Sequence, residues 1–300
     1  MKNRRIWMLH DIRDDYNNRY AKRYELPYFL SNERFISGLR SLNKGNGLVV
    51  LDNAVDDYFD VQQSRDLLTF DDGLKDHLAV ARILYKLEIA AVFFVPSGIL
   101  NGAFVDSHKI QFILSVLSEE KILSIIKNCL KVSDNQWRTI YREYSTSLWN
   151  NNIWSDGMVF ITRFFRSFND IDVRRSILDR IFDDYIFKHD PDLHNQFYLS
   201  KEDITEIVQM GHQIGGHGVK SYNLEFETLA TISDELKGSR EFLLNLGMPL
   251  RFALANGGYN DEVLRIAEEL NFKKCYTTNN NYETRKYNIL DGREDFTKSY

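Results

Sequence analysis

Cysteine and proline are both scarce in this chain of 300 residues, which contains 2 Cys and 4 Pro. Cys129 and Cys275 lie far apart and form neither a disulfide framework nor the close spacing of a cysteine metal site. The few prolines exclude a Pro-rich linker between independent modules. We therefore expect a protein of a reducing compartment, and we predict the cytoplasm.

Long apolar runs and an excess of positive charge are also missing. No window approaches the roughly 20 apolar residues of a membrane span. The amino-terminal MKNRRIWMLHDI has too short an apolar stretch for a signal-peptide core. The formal net charge is -5 and Lys and Arg are not clustered, which argues against nucleic acid or an anionic membrane as a partner. The sequence gives no indication of an oligomeric state.

What the chain does contain, 43% apolar and 27% charged residues, is typical of a folded globular protein. TFDDG at 69–73 ends an apolar run that we interpret as a buried strand. Apolar residues then recur at the spacing of one helix face, at Val80, Ile83, Leu84 and Leu87. A second buried strand is predicted at 90–95. Strand, helix and strand form a βαβ unit, which favours a parallel sheet or barrel with the TFDDG carboxylates at a strand's carboxyl end.

Similar strand and helix patterns lie on both sides of a central region of different character. RIWMLH, GHQIGGHG and KKCYTT are predicted strands, and helix faces are predicted at Ile204, Ile207 and Val208 and at Val263, Ile266, Ala267 and Leu270. The central region, 106–200, has helical runs such as IQFILSVL and EKILSIIKNCL and few strand signals. We predict one barrel domain over 1–300 with a helical insertion at 106–200.

Asp71 and Asp72 are the first candidates for chemistry, because ligands of parallel α/β folds bind at the carboxyl ends of the strands. The alternative is that one carboxylate caps the next helix and the other is solvated, with Gly73 supplying the turn. His217 is a second candidate at the end of GHQIGGHG, although a lone histidine there is more often a hydrogen-bonded structural residue than a metal ligand.

Taken together, TFDDG, the following FFVP strand, GHQIGGHG, RIWMLHDI and FALANGGYND resemble the polysaccharide deacetylase family, also called carbohydrate esterase family four. The resemblance implies a distorted (β/α) barrel that hydrolyses an amide on an amino sugar. It implies Asp71 as the general base, and Asp72 and His217 as ligands of a divalent metal, with Zn as our expectation. FALANGGYND resembles the family's third motif, and we predict substrate binding at Asn256, Gly257 and Tyr259.

Three departures separate this chain from the family pattern. The family's second histidine ligand, four residues after the first, is replaced by Ser221, whose neutral hydroxyl is a poor ligand for Zn. In the third motif Ala253 and Ala255 stand where the family usually has Arg and Pro. No histidine follows His217, so the family's late general acid has no counterpart.

Two other histidines could compensate for these losses. His10 ends the first predicted strand, so it would reach the same rim as Asp72 and could act as a catalytic acid or as a substitute ligand. His108, at the start of the insertion, is a candidate third metal ligand, and otherwise a surface helix residue.

The resulting hypothesis is a metal-dependent hydrolase that removes an acetyl or formyl group from a small amino-sugar or oligosaccharide substrate, with surface-polysaccharide biosynthesis as the expected setting. The competing hypothesis is a barrel that has lost its metal site and serves as a sugar-binding or accessory protein, which Ser221 and Ala255 favour. A third is different hydrolytic chemistry at a metal site completed by His10 or His108.

Overall fold

The computed structural model describes residues 4–13, 29–43, 47–51, 64–146, 155–278 and 289–299. The described chain forms two compact units. One, the barrel unit, is built from residues 1–16, 26–105 and 194–300, and the other, the helical unit, is built mainly from residues 106–193. The candidate site belongs to the barrel unit, apart from His108.

The barrel unit is organised around one sheet of eight parallel strands in the order β7-β6-β5-β4-β3-β2-β1-β8. The strands are β1 (Ile6–Leu9), β2 (Leu67–Phe70), β3 (Ala91–Val95), β4 (Gln213–Gly216), β5 (Arg251–Ala253), β6 (Lys274–Thr277), β7 (Leu290–Gly292) and β8 (Glu294–Asp295). RIWMLH, GHQIGGHG and KKCYTT thus contain the strands predicted in them, and the strand predicted at 90–95 begins one residue later.

The two edge strands of this sheet are consecutive in the sequence, and together they close the barrel. β7 pairs with β6, and β8 pairs with β1 at the opposite edge. A single residue, Arg293, separates β7 from β8, and its N–H donates to the carbonyl of Thr277 in β6 (2.9 Å). One extended segment therefore joins both edges, which confirms the predicted (β/α) barrel.

β2 and β3 are internal strands of the sheet, and their side chains are mostly apolar. Every residue of both strands is buried, as expected for parallel strands covered on both faces. The rings of Phe70 and Phe93 stack with centroids 4.9 Å apart. Helix α2 buries Val80 and Leu84 as predicted, but Leu87 is 52% exposed, so its predicted place on the buried face is wrong. Leu87 follows the last residue of the helix, where the helical spacing no longer applies.

Helices of the barrel unit begin at polar residues that satisfy free backbone N–H groups. Ser200, Thr228 and Asn260 each accept a hydrogen bond from the backbone three residues on. The bounds are α1 (Asn32–Asn43), α2 (His77–Lys86), α8 (Leu193–Phe197, at the boundary with the helical unit), α9 (Lys201–Gln209), α10 (Leu229–Asn245) and α11 (Asp261–Glu269). The helices predicted before GHQIGGHG and before KKCYTT are confirmed as α9 and α11.

The helical unit contains α3 (Asp106–Val116), α4 (Glu119–Leu130), α5 (Asp134–Ser145), α6 (Asp156–Ser167) and α7 (Ile171–Tyr185). The helices predicted from IQFILSVL and EKILSIIKNCL are confirmed as α3 and α4. Stacked rings form much of its interior, with Phe160 and Phe164 5.6 Å apart between centroids. That residues 106–200 form an insertion within a single barrel domain stays a prediction. No helix in the described ranges is long and apolar enough to cross a membrane.

Candidate active site

Candidate residues follow three strands at the carboxyl end of the barrel. His10 follows β1, Asp71 and Asp72 follow β2, and His217 follows β4. β1 and β2 pair in register up to the residues just before His10 and Asp71, so these two occupy equivalent positions on neighbouring strands. The N–H of His217 donates to the last carbonyl of β3 (3.2 Å), which ties β4 to the strand beside β2. The parallel sheet therefore delivers these side chains to one rim.

Asp71 is bound by a buried arginine from the segment that closes the barrel. Nη1 of Arg293 donates to Oδ1 of Asp71 (2.6 Å), and Nη2 donates to Oδ2 (2.7 Å). Both side chains are almost completely buried, with 0% and 3% of their surface exposed. Nη1 also donates to Oγ1 of Thr69 (3.2 Å). A planar guanidinium on both carboxylate oxygens fixes the orientation of the carboxylate as well as its charge.

The charge state of Asp71 follows from two opposing effects. Burial is the largest single effect and acts to raise the pKa of the Asp71 carboxyl, but the charge and hydrogen bond of Arg293 and the charges of His217 and His10 together outweigh it. The pKa is therefore lower than that of an ordinary aspartate. At neutral pH Asp71 is an ionised carboxylate with its oxygens held in place, which is the state that a general base requires.

Asp72 and His217 form the second pair of the site. Nε2 of His217 lies 3.3 Å from Oδ1 of Asp72, and Nδ1 donates to the carbonyl of Ala253 (2.7 Å). Burial acts to lower the pKa of His217, but the hydrogen bond to Asp72 and the charges of Asp71 and Asp72 raise it overall. The carbonyl fixes the Nδ1–H tautomer, so Nε2 is the atom that exchanges a proton or binds a metal next to Asp72.

The donor atoms present fit two ligands of a divalent cation. Two ligands of a tetrahedral Zn²⁺ with bonds of about 2.0–2.1 Å lie about 3.3 Å apart, and Nε2 of His217 and Oδ1 of Asp72 have this separation. Ser221, at the position of the family's second histidine, is 9% exposed and adopts a left-handed φ of 57°. Within the described ranges, no three His, Cys, Asp or Glu side chains are grouped so as to hold a metal ion.

His10 lies beside Asp71, and its backbone carbonyl accepts a hydrogen bond from a buried histidine. Nε2 of His77 donates to the carbonyl of His10 (3.0 Å), and His77 is fully buried against Phe70 and Phe93. His77 begins α2, and burial lowers its pKa, so its imidazole has a structural role. The ring of His10 is half-buried. Its predicted role as a catalytic acid stays a prediction.

His108 lies in α3 of the helical unit. Only 1% of its surface is exposed, so the alternative that it is a surface helix residue is wrong. It points into the packed face of a helix that also buries Ile110, Phe112 and Ile113. Its predicted role as a metal ligand stays a prediction.

The third motif forms a tight turn directly after β5. Asn256 is exposed with a φ of 54°, and Gly257 has a φ of 71°. A Cβ on Gly257 would overlap Oγ1 of Thr278, so only glycine fits this turn. Oγ1 of Thr277 donates to the carbonyl of Gly257 (2.8 Å), which fixes the turn against β6. Tyr259 is half-buried. Substrate binding by Asn256, Gly257 and Tyr259 stays a prediction.

Sequence reasoning missed two residues of the site region, Arg293 and Glu235. Arg293 lies in the polar stretch LDGRED, which has no strand pattern, and its partner is 222 residues away in the sequence. Glu235 lies on α10 among Ile232, Leu236 and Leu243, and it is buried. Its place on an otherwise apolar helix face is a signal that could have identified it.

Comparisons with known proteins agree with the motifs. Residues 177–275 match the family model of polysaccharide deacetylases. This range includes GHQIGGHG and the third motif but not TFDDG. No curated protein matches the chain in sequence.

Solved structures share the fold of nearly the whole chain. The Streptococcus pyogenes deacetylase PplD, solved with acetate, superposes with a TM-score of 0.57 at 16% identity, covering 98% of this chain and 92% of its own. IcaB from Ammonifex degensii superposes with a TM-score of 0.53 at 14% identity, covering 98% and 91%. The Bacillus cereus polysaccharide deacetylase BC0361 gives 0.54 at 16% identity, and 65% of its chain is covered.

The fold is thus the (β/α) barrel of polysaccharide deacetylases. This fold and the family match over residues 177–275 agree with the resemblance seen in the motifs.

Proposed function

We propose that this protein is a hydrolase that removes an N-acyl group, acetyl or formyl, from an amino sugar. The observation that carries the proposal is the buried Arg293–Asp71 ion pair beside the Asp72–His217 pair. An ionised, oriented carboxylate next to a carboxylate and imidazole that fit a cation is suited to hydrolysis of an amide by water.

Asp71 acts as the general base in this proposal. Each of its oxygens accepts one hydrogen bond from Arg293, so each retains a lone pair for a water molecule. The carboxylate takes a proton from that water as the oxygen attacks the acyl carbonyl. Arg293 weakens Asp71 as a base, but it keeps the carboxylate charged and correctly oriented inside the barrel.

Asp72 and His217 would hold the divalent cation, with Zn as the proposed metal. When bound, such an ion polarises the acyl carbonyl and lowers the pKa of a bound water molecule. The Nδ1–H bond to Ala253 keeps His217 in the required tautomer. Because a proton and a metal compete for Nε2, metal binding weakens as the pH falls through the raised pKa of His217.

His10 is the proposed general acid. Its strand pairs with β2 in register, which places it beside Asp71 on the rim. The C–N bond breaks as the amine leaves, and the amine nitrogen takes a proton from the imidazolium. The products are a carboxylic acid, acetate or formate, and the free amino sugar.

The proposed substrate is a small amino sugar or oligosaccharide, of the kind used in surface-polysaccharide biosynthesis. Two structural neighbours, a deacetylase solved with acetate and a polysaccharide deacetylase, support an acylated saccharide as the substrate class. Acetate is the acid that deacetylation releases.

The test is release of acetate or formate from N-acetylated and N-formylated amino-sugar nucleotides and oligosaccharides, with and without added Zn²⁺. We expect release by the wild type and release that is about 10²- to 10⁴-fold slower by Asp71→Asn. The missing third ligand among the described residues favours one other function, that of a sugar-binding or accessory protein. Saccharide binding by the wild type with no acid released under any metal condition would support this second function and contradict the first.

A further inference from the structure

The loop that begins at His217, residues 217–222, accepts backbone hydrogen bonds from residues that follow β3. The N–H of Ser97 donates to the carbonyl of Gly218 (2.9 Å), and the N–H of Gly98 donates to the carbonyl of Val219 (2.8 Å). These bonds use carbonyl groups of the loop. Its N–H groups therefore need acceptors from elsewhere.

A single carboxylate, Glu235 of α10, supplies those acceptors. Oε2 accepts from the N–H of Val219 (2.9 Å) and of Lys220 (3.0 Å), and Oε1 accepts from Lys220 (3.2 Å). The backbone of Tyr222 also donates to this carboxylate. Three N–H groups from four residues thus converge on one side chain, of which 4% is exposed.

Two left-handed residues turn these N–H groups toward Glu235. Gly218 has a φ of 82° and Ser221 has a φ of 57°. Backbone N–H groups next to left-handed residues form a concave nest that binds an anion. Here the anion is part of the chain, and it packs so closely that a Cβ on Gly218 would overlap Oε2 of Glu235.

The arrangement has a cost as well as a gain. Removing a carboxylate from water is costly, and the backbone hydrogen bonds offset only part of that cost. Burial raises the pKa of Glu235 in spite of its backbone donors. What the carboxylate provides, and an apolar side chain would not, is one fixed conformation for the loop between His217 and Tyr222.

We infer that Glu235 is a positioning residue for the active site, which rests on the proposed function. It acts through loop 217–222, at whose start His217 turns Nε2 toward Asp72 and in which Ser221 occupies the family's second ligand position. Without the carboxylate, the N–H groups of the loop lose their acceptor, and the loop and the imidazole next to it are free to reorient.

The experiment compares Glu235→Gln with a matched control, Asp66→Asn. Asp66 is also 4% exposed and also accepts a backbone N–H, from Arg5 (3.0 Å), as well as Nε1 of Trp7 (3.2 Å). It precedes β2 and so lies at the opposite end of the strand from Asp71. Both substitutions replace a buried carboxylate by an amide of the same shape, but only the carboxylate of Glu235 contacts loop 217–222.

Two readouts do not require enzyme activity. Amide hydrogen exchange should show protection of Val219, Lys220 and Tyr222 in the wild type, reduced in Glu235→Gln, whose single acceptor oxygen cannot serve all three N–H groups, and kept in the control. In metal-free protein, the ring Nδ1–H of His217 should give a slowly exchanging NMR signal that Glu235→Gln weakens or removes. Unprotected loop amides in the wild type would overturn the inference even if the variant failed to fold.

The activity readout then tests the functional consequence. Misplacement of a catalytic group by about 1 Å can cost about 10²-fold in rate. We expect kcat of Glu235→Gln to fall by about this factor with KM within a few-fold of the wild type, and partial recovery in Glu235→Asp. Equal losses of kcat in Glu235→Gln and Asp66→Asn, with the His217 signal unchanged, would overturn the positioning role. An inactive wild type would contradict the proposed function and leave the exchange and NMR results to decide on Glu235.

Discussion

Replacing Arg293 by methionine removes the counter-charge of Asp71 and keeps most of the side-chain volume. In the wild type the two almost completely buried side chains share two hydrogen bonds of 2.6 and 2.7 Å. Methionine can fill the space, but it offers no donor and no charge. The variant therefore leaves a buried carboxylate without its cation.

The magnitude follows from the burial of both partners. Breaking a buried ion pair by removing one member typically costs about 3–5 kcal/mol, because the remaining charge is uncompensated. We expect a loss in the free energy of unfolding in this range at pH 7. Removing the charge of Asp71 as well should relieve most of it, so Asp71→Asn/Arg293→Met should be more stable than Arg293→Met alone.

The loss should also depend on pH, with a sign set by Asp71. Arg293, together with the charges of His217 and His10, outweighs burial and lowers the pKa of Asp71 below 3.8, so the wild-type contribution is present above pH 3.8 and is lost as the pH falls through the folded pKa. Without Arg293, burial raises the pKa, and the penalty grows as the pH rises through that raised value. The destabilisation should therefore be smaller near pH 4 than at pH 7.

The assay is urea denaturation at both pH values, with Arg265→Met as the control. Arg265 on α11 pairs with Glu262 and Glu269, but its side chain is 51% exposed, and exposed ion pairs contribute little. We expect almost no change in the control. An equal loss at pH 4 and pH 7, or no recovery in the double variant, would refute the electrostatic account of the Arg293–Asp71 pair.

Three further predictions concern the site and its rim. Asp71→Asn should lower turnover by about 10²- to 10⁴-fold, measured as acid released, with metal binding retained; unchanged turnover would assign the base to another residue. Ser221→His restores the family's ligand spacing and should tighten Zn²⁺ binding in a chelator-competition titration, whereas an unchanged Kd would argue against Asp72 and His217 as ligands. Gly257→Ala should lower the midpoint of thermal unfolding more than Gly102→Ala, because Gly102 has a similar φ of 83° but open space around it; equal shifts would mean that the overlap with Thr278 has no cost.

Periodicity predicted the framework of the barrel because each signal is local. A buried strand followed by an amphipathic helix can be identified within about 25 residues, and the strand ends then place Asp71, Asp72 and His217 on one rim. The replacement of the family's second histidine by Ser221 could also be recognised in the sequence, because it depends only on the spacing from His217. The described residues lack a third His, Cys, Asp or Glu ligand, in line with that departure.

The parts that sequence did not predict depend on contacts between distant residues. β7 and β8 have 3 and 2 residues, too short for a recognisable alternation, and the partner of β8, strand β1, lies far away in the chain. Arg293 is charged, and charged residues are almost never fully buried unless paired, so its burial could not be inferred without its partner. His108 and Leu87 differ from expectation because local spacing does not determine what packs against a helix.

The extended segment that closes the barrel, made of β7, Arg293 and β8, also determines the order in which the site can form during protein synthesis. Arg293 follows Asp71 by 222 residues. A ribosome that adds about 5–20 residues per second therefore incorporates Arg293 roughly 10–45 seconds after Asp71. Over that interval the Asp71 carboxylate has no buried cation and must stay hydrated, which keeps the carboxyl end of β2 open. The growing chain can therefore form its βαβ units early, while the Asp71 carboxylate becomes enclosed only when the final strand segment joins the two edges.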